Sequence, residues 1–147
     1  FLKCFNVNLF GSMNLLDLWL PLFLERGFGK FVAISSLSSY RGGVGLKAVG
    51  YSSSKVAINM AFECFRIRYF DSGISFTTIN PGSMVTGLER RGIFPLHYRK
   101  AAEKIYKVVV SNKKSEVVNF PKTTAFLLKC SRLFRDSFLG LIISRKK

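Results

Sequence analysis

Histidine, acidic side chains and paired cysteines are what this chain has least of. Its one histidine, His97, has no second ligand or nucleophile near it in sequence, so it reads as a surface or loop residue. Three cysteines, Cys4, Cys64 and Cys130, are odd in number, widely spaced and without a C-x-x-C. That excludes a disulfide framework and a zinc site, and it suits a reducing compartment, hence a cytoplasmic protein. No internal repeat stands out. The first residue is Phe1 rather than methionine, which reads as a fragment or a processed product. The leucine-rich run over residues 9–24 is interrupted by Asn14, Asp17 and Pro21. It falls short of the ~20 apolar residues a membrane span needs, and reads as a buried helix.

What is present fits one domain with a real core: 147 residues, 48% of them apolar, with 15 phenylalanines. Acidic residues number 8 against 23 Lys and Arg, a net charge of +15, of which +11 lies in the last 59 residues. A lysine-rich solvated surface is the plainer reading of that excess; an acidic partner or a membrane surface near the C-terminal part is the other.

Apolar residues Leu9, Met13, Leu16, Leu20 and Leu24 recur at helical spacing, predicting a helix over residues 6–25 closed by Gly27 and Gly29. Residues 30–35 read as a buried strand, and residues 36–50 as a loop of serines and glycines. A second helix is expected from Ser52 to about Phe70, then a strand over 74–79, with Asn80-Pro81-Gly82 as a turn at its end. A helix near 98–111 and a short strand at 116–120 follow. Pro121 opens a last helix whose apolar face is Phe126, Leu127, Cys130, Leu133, Phe134 and Phe138. This alternation predicts an α/β fold with a partial, Rossmann-like (doubly wound) parallel sheet of about three strands and flanking helices. Function is expected at the strands' C-terminal ends.

The chemistry centres on Tyr51-Ser52-Ser53-Ser54-Lys55. A tyrosine four residues ahead of a lysine on a helix presents both side chains on one face. A phenol with an ordinary pKa of about 10 is a poor acid–base group at neutral pH. An ammonium roughly 4 Å away favours the phenolate by about 4 kcal/mol at an effective dielectric near 20, which moves such a group toward neutrality.

Four segments in order give this chain a resemblance to the C-terminal portion of the short-chain dehydrogenase/reductase family. Val7-Asn8-Leu9-Phe10-Gly11, with Leu20-Pro21 following, resembles its asparagine-bearing helix. The stretch Gly29 to Ser36 is similar to its strand ending in an active-site serine. Tyr51-x-x-x-Lys55 is similar to its catalytic pair, and the run from Asn80-Pro81-Gly82 to Thr86 to its nicotinamide-side loop. The resemblance covers residues 6–88, while 89–147 match in general layout.

The resemblance implies an oxidoreductase that reduces a carbonyl or oxidises the alcohol with NAD or NADP. Tyr51 is then the acid or base, Lys55 tunes it and binds the nicotinamide ribose, Ser36 holds the substrate oxygen, and Asn8 holds a water in the proton relay. Pro81 and Gly82 pack beside the nicotinamide, and Thr86 reaches its carboxamide. Residues 1–88 form the catalytic core; residues 89–147 hold the substrate loop, the last strand and the basic C-terminal helix. The substrate is a small carbonyl or alcohol, and Leu88, Ile93, Phe94 and Leu96 hint at an apolar one. A homodimer or tetramer is implied through the helices bearing Asn8 and Tyr51. The competing reading is a non-catalytic relative binding a partner or a membrane surface through its basic C-terminal part, with nucleic acid the less favoured partner. A packed terminal helix with a solvated basic side is the preferred picture of that part; Trp19 is expected in packing.

Two departures from the family pattern matter. The usual serine-to-tyrosine spacing of thirteen selects Ser38, whereas the strand-end pattern selects Ser36, fifteen before Tyr51. A two-residue insertion among Gly42, Gly43 and Gly45 is cheap, whereas moving a serine off the strand end redirects its hydroxyl, so Ser36 is chosen. Second, no glycine-rich turn able to seat a pyrophosphate on a helix N-terminus precedes Tyr51.

Overall fold

The computed structural model describes residues 1–42, 46–85, 96–112, 114 and 116–144. A three-stranded parallel sheet organises them, in the order β1 (Gly29–Ile34), β2 (Ile74–Pro81), β5 (Val117–Phe120). β1 and β2 pair from Gly29↔Ile74 to Ile34↔Ile79, and β2 and β5 from Thr78↔Val117 to Pro81↔Phe120. The fold is α/β, with the sheet flanked by helices on both faces. A second, two-stranded sheet joins β3 (Met84–Val85) to β4 (Leu96–His97) in parallel, two strands too short to read from sequence.

The first helix runs from Leu2 to Arg26 in three pieces: α1 (Leu2–Phe5), a π turn at Asn6–Phe10, and α2 (Gly11–Arg26). It is not buried all round, as the leucine run suggested. Leu16 and Leu20 enter the core, and Leu9, Met13 and Phe23 pack against it. Leu15, Leu18, Leu22 and Trp19 are exposed, Trp19 packing on one side against Phe23 at a centroid distance of 6.2 Å. A leucine-rich run records how apolar a helix is, and only its neighbours decide how many faces are covered.

The helix carrying Tyr51, α3, spans Leu46–Arg68, so it starts six residues earlier than predicted. Gly50 reads as loop in sequence because glycine weakens helices. Here it serves a close approach: a Cβ on Gly50 would sit 3.0 Å from Phe1 Cα, so the absent side chain lets the start of α1 lie against α3.

Helices α2 and α3 cover one face of the sheet around Phe76, whose ring meets Phe31, Phe62, Phe65 and Tyr69 at centroid distances of 5.3–6.1 Å. This cluster gathers five of the chain's 21 aromatic side chains, and aromatic pairs add to the burial of their area. On the other face, α4 (Tyr98–Val110) brings Ala101, Ile105 and Val108 to Ile79, Phe120 and Val32. Leu96 packs in this second cluster, which removes it from the residues hinting at an apolar substrate. Leu88, Ile93 and Phe94 lie outside the described residues. Lys30 Nζ donates to the carbonyls of Val108 and Ser111, a cation on the carbonyl end of α4. His97 is exposed as expected, and its Nδ1 accepts the Arg99 N–H at 3.3 Å as the cap of α4.

The single last helix is two: α5 (Lys122–Ser131) and α6 (Asp136–Ser144). Ser131 Oγ donates to Leu128 O at 2.7 Å, and Leu133 and Phe134 make tight i→i−3 backbone bonds that end α5. Its expected packed aromatic face is also corrected. Ala125 is the buried residue of α5, while Phe126, Leu127, Leu133, Phe134 and Phe138 are all exposed. The 3.6-residue period located an apolar stripe correctly, but the sheet receives the smaller side chains opposite it.

Candidate active site

At the C-terminal end of β1, three elements converge. The π turn widens the first helix at Asn6–Phe10 and carries Asn8 toward α3. Asn8 Oδ1 accepts from Lys55 Nζ at 3.2 Å, and Asn8 Nδ2 donates to Ser54 Oγ at 3.0 Å. Ser54 Oγ donates in turn to the carbonyl of Tyr51 at 2.8 Å. Lys55 Nζ also donates to the Ile34 carbonyl at 2.9 Å, and lies 5.7 Å from the centre of the Tyr51 ring. Two of the ammonium's three donors are thereby engaged. Asn8, Tyr51 and Lys55, far apart in sequence, are brought together.

Lys55 is buried, and burial pulls its ammonium below the usual lysine value; the nearby Cys4 thiol opposes that shift. Tyr51 is exposed at 41%, open to a ligand arriving from outside. The loop after β1 is pinned beneath it: Ser35 Oγ donates to the Lys55 carbonyl at 3.1 Å. Ser36, in extended conformation, caps a 3₁₀ turn over Leu37–Ser39 by accepting the Ser38 N–H at 3.1 Å. The Ser36 hydroxyl proton is not used in that bond. Ser38 Oγ is buried with no partner among the described residues.

Ser36, Ser38, Tyr51 and Gly82 all line one cavity of about 570 Å³, closed on the far side by Thr124 and Leu128 of α5. Pro81 ends β2, two residues further than the predicted strand. A Cβ on Gly82 would meet Pro121 Cδ at 3.1 Å and Leu37 Cδ1 at 3.3 Å, so a bare backbone is what fits between the serine turn and the end of β5. Thr86 lies outside the described residues, as do Gly43 and Gly45 of the loop insertion.

Sequence reasoning missed a buried amide network beside this cavity. Asn80, fully buried, donates to Asn119 Oδ1 at 3.0 Å and to Tyr40 Oη at 3.2 Å. Its Oδ1 accepts from Asn59 Nδ2 at 3.1 Å, which also donates to Ser39 Oγ at 2.8 Å. Ser39, in the stretch read as a loop, closes the chain by donating to the Ser36 carbonyl at 2.7 Å. The network therefore links β2, β5 and α3 to the turn that bears Ser36. Its strand-end asparagines are paired by register, Asn80↔Asn119, a relation invisible before the strands are placed side by side. Ser54 was the more findable omission, since it precedes Lys55 and lies three residues after Tyr51.

Residues 1–92 match the short chain dehydrogenase family. The chain is 33% identical over 111 residues to the short chain dehydrogenase virK of Hypocrea virens, covering 72% of this chain and 38% of that protein. It is 37% identical over 87 residues to dehydrogenase/reductase SDR family member 7B of Rattus norvegicus, covering 58% of this chain and 26% of that one. The chain thus spans roughly a quarter to two fifths of those relatives' length. Among solved structures, a short chain dehydrogenase of Burkholderia cenocepacia in complex with NADP shares the fold, with a TM-score of 0.70 at 17% identity over 92% of this chain and 56% of that one.

Proposed function

The chain belongs to the short-chain dehydrogenase family, and on that premise we propose that it is the catalytic part of an NAD- or NADP-dependent oxidoreductase acting on a small carbonyl or alcohol. One observation carries the reading: Asn8, Lys55 and Tyr51 meet at the end of β1, and Tyr51 lines a cavity that Ser36 and Gly82 also line.

The residues fit the nicotinamide end of such a cofactor. Lys55 keeps one N–H donor for a ribose hydroxyl, and Gly82, which follows Pro81, lines the same cavity as Tyr51. Thr86, by the family pattern, would add a contact to the carboxamide. When bound, the cofactor supplies or accepts the hydride. The protein's own part is placement and proton transfer. The Tyr51 hydroxyl gives its proton to the carbonyl oxygen, or takes it from the alcohol in reverse. Ser36 donates a hydrogen bond to the same oxygen, where negative charge develops. Lys55, held by Asn8 and the Ile34 carbonyl, sets a positive charge beside the phenol, and Asn8 continues the path by which the proton is replaced. Leu37, Met84 and Leu128 in the cavity wall favour an apolar substrate.

The exposed face of α2, with Leu15 at 60% and Leu18 at 65%, is the surface for pairing with a second copy, giving a homodimer or tetramer. By length and composition Leu2–Arg26 could cross a bilayer. Yet Asn8, Leu16 and Leu20 are built into the site and the core, which fits a folded, cytoplasmic domain. The test uses the natural full-length form of the protein with NADH and with NADPH against a panel of apolar ketones. Cofactor oxidation that depends on a ketone is the expected result. Its absence with every pair would leave the interaction reading in place.

A further inference from the structure

The last two helices expose apolar side chains that a solvated terminal helix would not carry. Phe126 is 67% exposed, Leu133 86% and Leu141 61%, and Phe134 and Phe138 stack on each other at 5.6 Å while both remain in solvent. Six large apolar residues, counting Leu127, stand open between residues 126 and 141. Isolated exposed residues need no account, but a contiguous patch does.

Charge distinguishes this patch from the exposed face of α2. The α2 face carries Asp17 and no basic residue between Gly11 and Glu25, as expected of a face that meets another copy. Around the α5–α6 patch stand Lys122, Arg132 and Arg135, while Lys129 turns its ammonium over the Tyr40 ring at 4.8 Å; the one acid, Asp136, has its charge met by Arg41 at 2.6 Å. The surface offered outward is therefore apolar and basic at once. That combination matches an interface of acyl chains beneath anionic headgroups, where aromatic and leucine side chains sit below Lys and Arg. A protein partner would have to supply an acidic rim around an apolar centre, and a nucleic acid would leave the apolar residues unused.

We propose that α5 and α6 dock this protein on an anionic lipid surface. Position gives the docking a use, and this step rests on the dehydrogenase reading. Thr124 and Leu128, on the inner side of α5, line the cavity that holds Tyr51. A membrane against the outer side of α5 lies one helix away from the site, so the substrate class is a carbonyl compound or alcohol that partitions into lipid.

The experiment measures sedimentation of the 147-residue chain with vesicles of phosphatidylcholine alone and of phosphatidylcholine with phosphatidylserine, at low and high salt. Two variants accompany it, Phe134→Ser with Phe138→Ser, and Arg132→Glu with Arg135→Glu; all four residues are exposed, and circular dichroism checks that the fold is kept. The expected result is binding to the anionic vesicles, weakened by salt and reduced at least about tenfold in each variant. No binding of the parent chain to anionic vesicles, or equal binding by either variant, overturns the proposal. So does a preference for single-stranded RNA that depends on the arginines alone, or a self-association lost in the phenylalanine variant without any vesicle binding. None of these readouts involves turnover, so failure here leaves the oxidoreductase reading standing, and an inactive enzyme that still binds vesicles separates the two in the other direction.

Discussion

The central sheet and the last helix place a phenylalanine in opposite ways. Phe76, in the middle of the sheet, is 2% exposed and touches four other rings. Phe138, on the last helix, is 50% exposed and meets one. The same contrast holds for polar groups. In residues 2–82 the buried amides and hydroxyls are chained together, from Asn8 and Lys55 through Ser54, and from Ser39 through Asn59 to Asn80. In residues 122–144 most charged side chains are exposed; Lys129 lies over the Tyr40 ring, and one ion pair, Arg41–Asp136, ties α6 back among the described residues. The difference teaches where chemistry is held. A proton path needs atoms fixed to within a few tenths of an ångström, and a buried hydrogen-bonded network provides that. A docking surface needs only the right composition facing outward.

The sharpest way to break this comparison is to truncate one ring at each end. Phe76→Ala is expected to cost about 3–5 kcal/mol in denaturant unfolding, enough to leave little folded chain. Phe138→Ala is expected to stay within about 0.5 kcal/mol of the parent. Similar losses at both positions would show that α6 is packed into the fold.

A smaller effect is expected from Asn80→Ala, about 1–3 kcal/mol, because the amides of Asn59 and Asn119 and the Tyr40 hydroxyl lose a buried partner together. Equilibrium unfolding measures it, and an unchanged midpoint would mean that the network is replaced by water. On the dehydrogenase reading, Ser36→Ala in the full-length protein is expected to lower turnover well beyond Ser38→Ala. Ser36 continues the line of β1 and keeps its proton to donate, whereas Ser38 Oγ is enclosed. The opposite ranking in initial rates would favour the family's usual spacing over strand position.

The smallest effect concerns pH. Burial lowers the pKa of Lys55 in the folded chain below the 10.5 of the open chain. Between those two values the unfolded state holds the proton more tightly, so stability rises with pH across that window and is lowest below it. Lys55→Met is expected to flatten the rise relative to the parent in unfolding curves from neutral to alkaline pH; parallel curves would place the lysine in solvent.

Sequence reading served best where a residue's role is local. β1, β2 and β5 emerge within one or two residues, since buried parallel strands are apolar runs bounded by glycine, proline or aspartate. The Tyr51–Lys55 face follows from helical spacing, and Asn8 from its place in the motif. Three things depended on the third dimension. The π turn at Asn6–Phe10 has no compositional mark. The close approach of Phe1 to Gly50, inside the early first turns of α3, joins residues fifty apart in sequence. Which side of α2 and α5 is covered depends on what the sheet can accept, and for α5 it accepts Ala125 and leaves Phe126 outside.

Tyr51→Phe tests the central claim most directly, with turnover and cofactor affinity measured side by side in the full-length enzyme. The lost hydroxyl acts mainly in the transition state, so kcat is expected to fall nearly to background while the Kd for the cofactor stays almost unchanged. A variant that keeps about a tenth of the parent kcat would contradict the assignment of Tyr51 as the proton donor, and with it the reading of this end of the chain as the catalytic one.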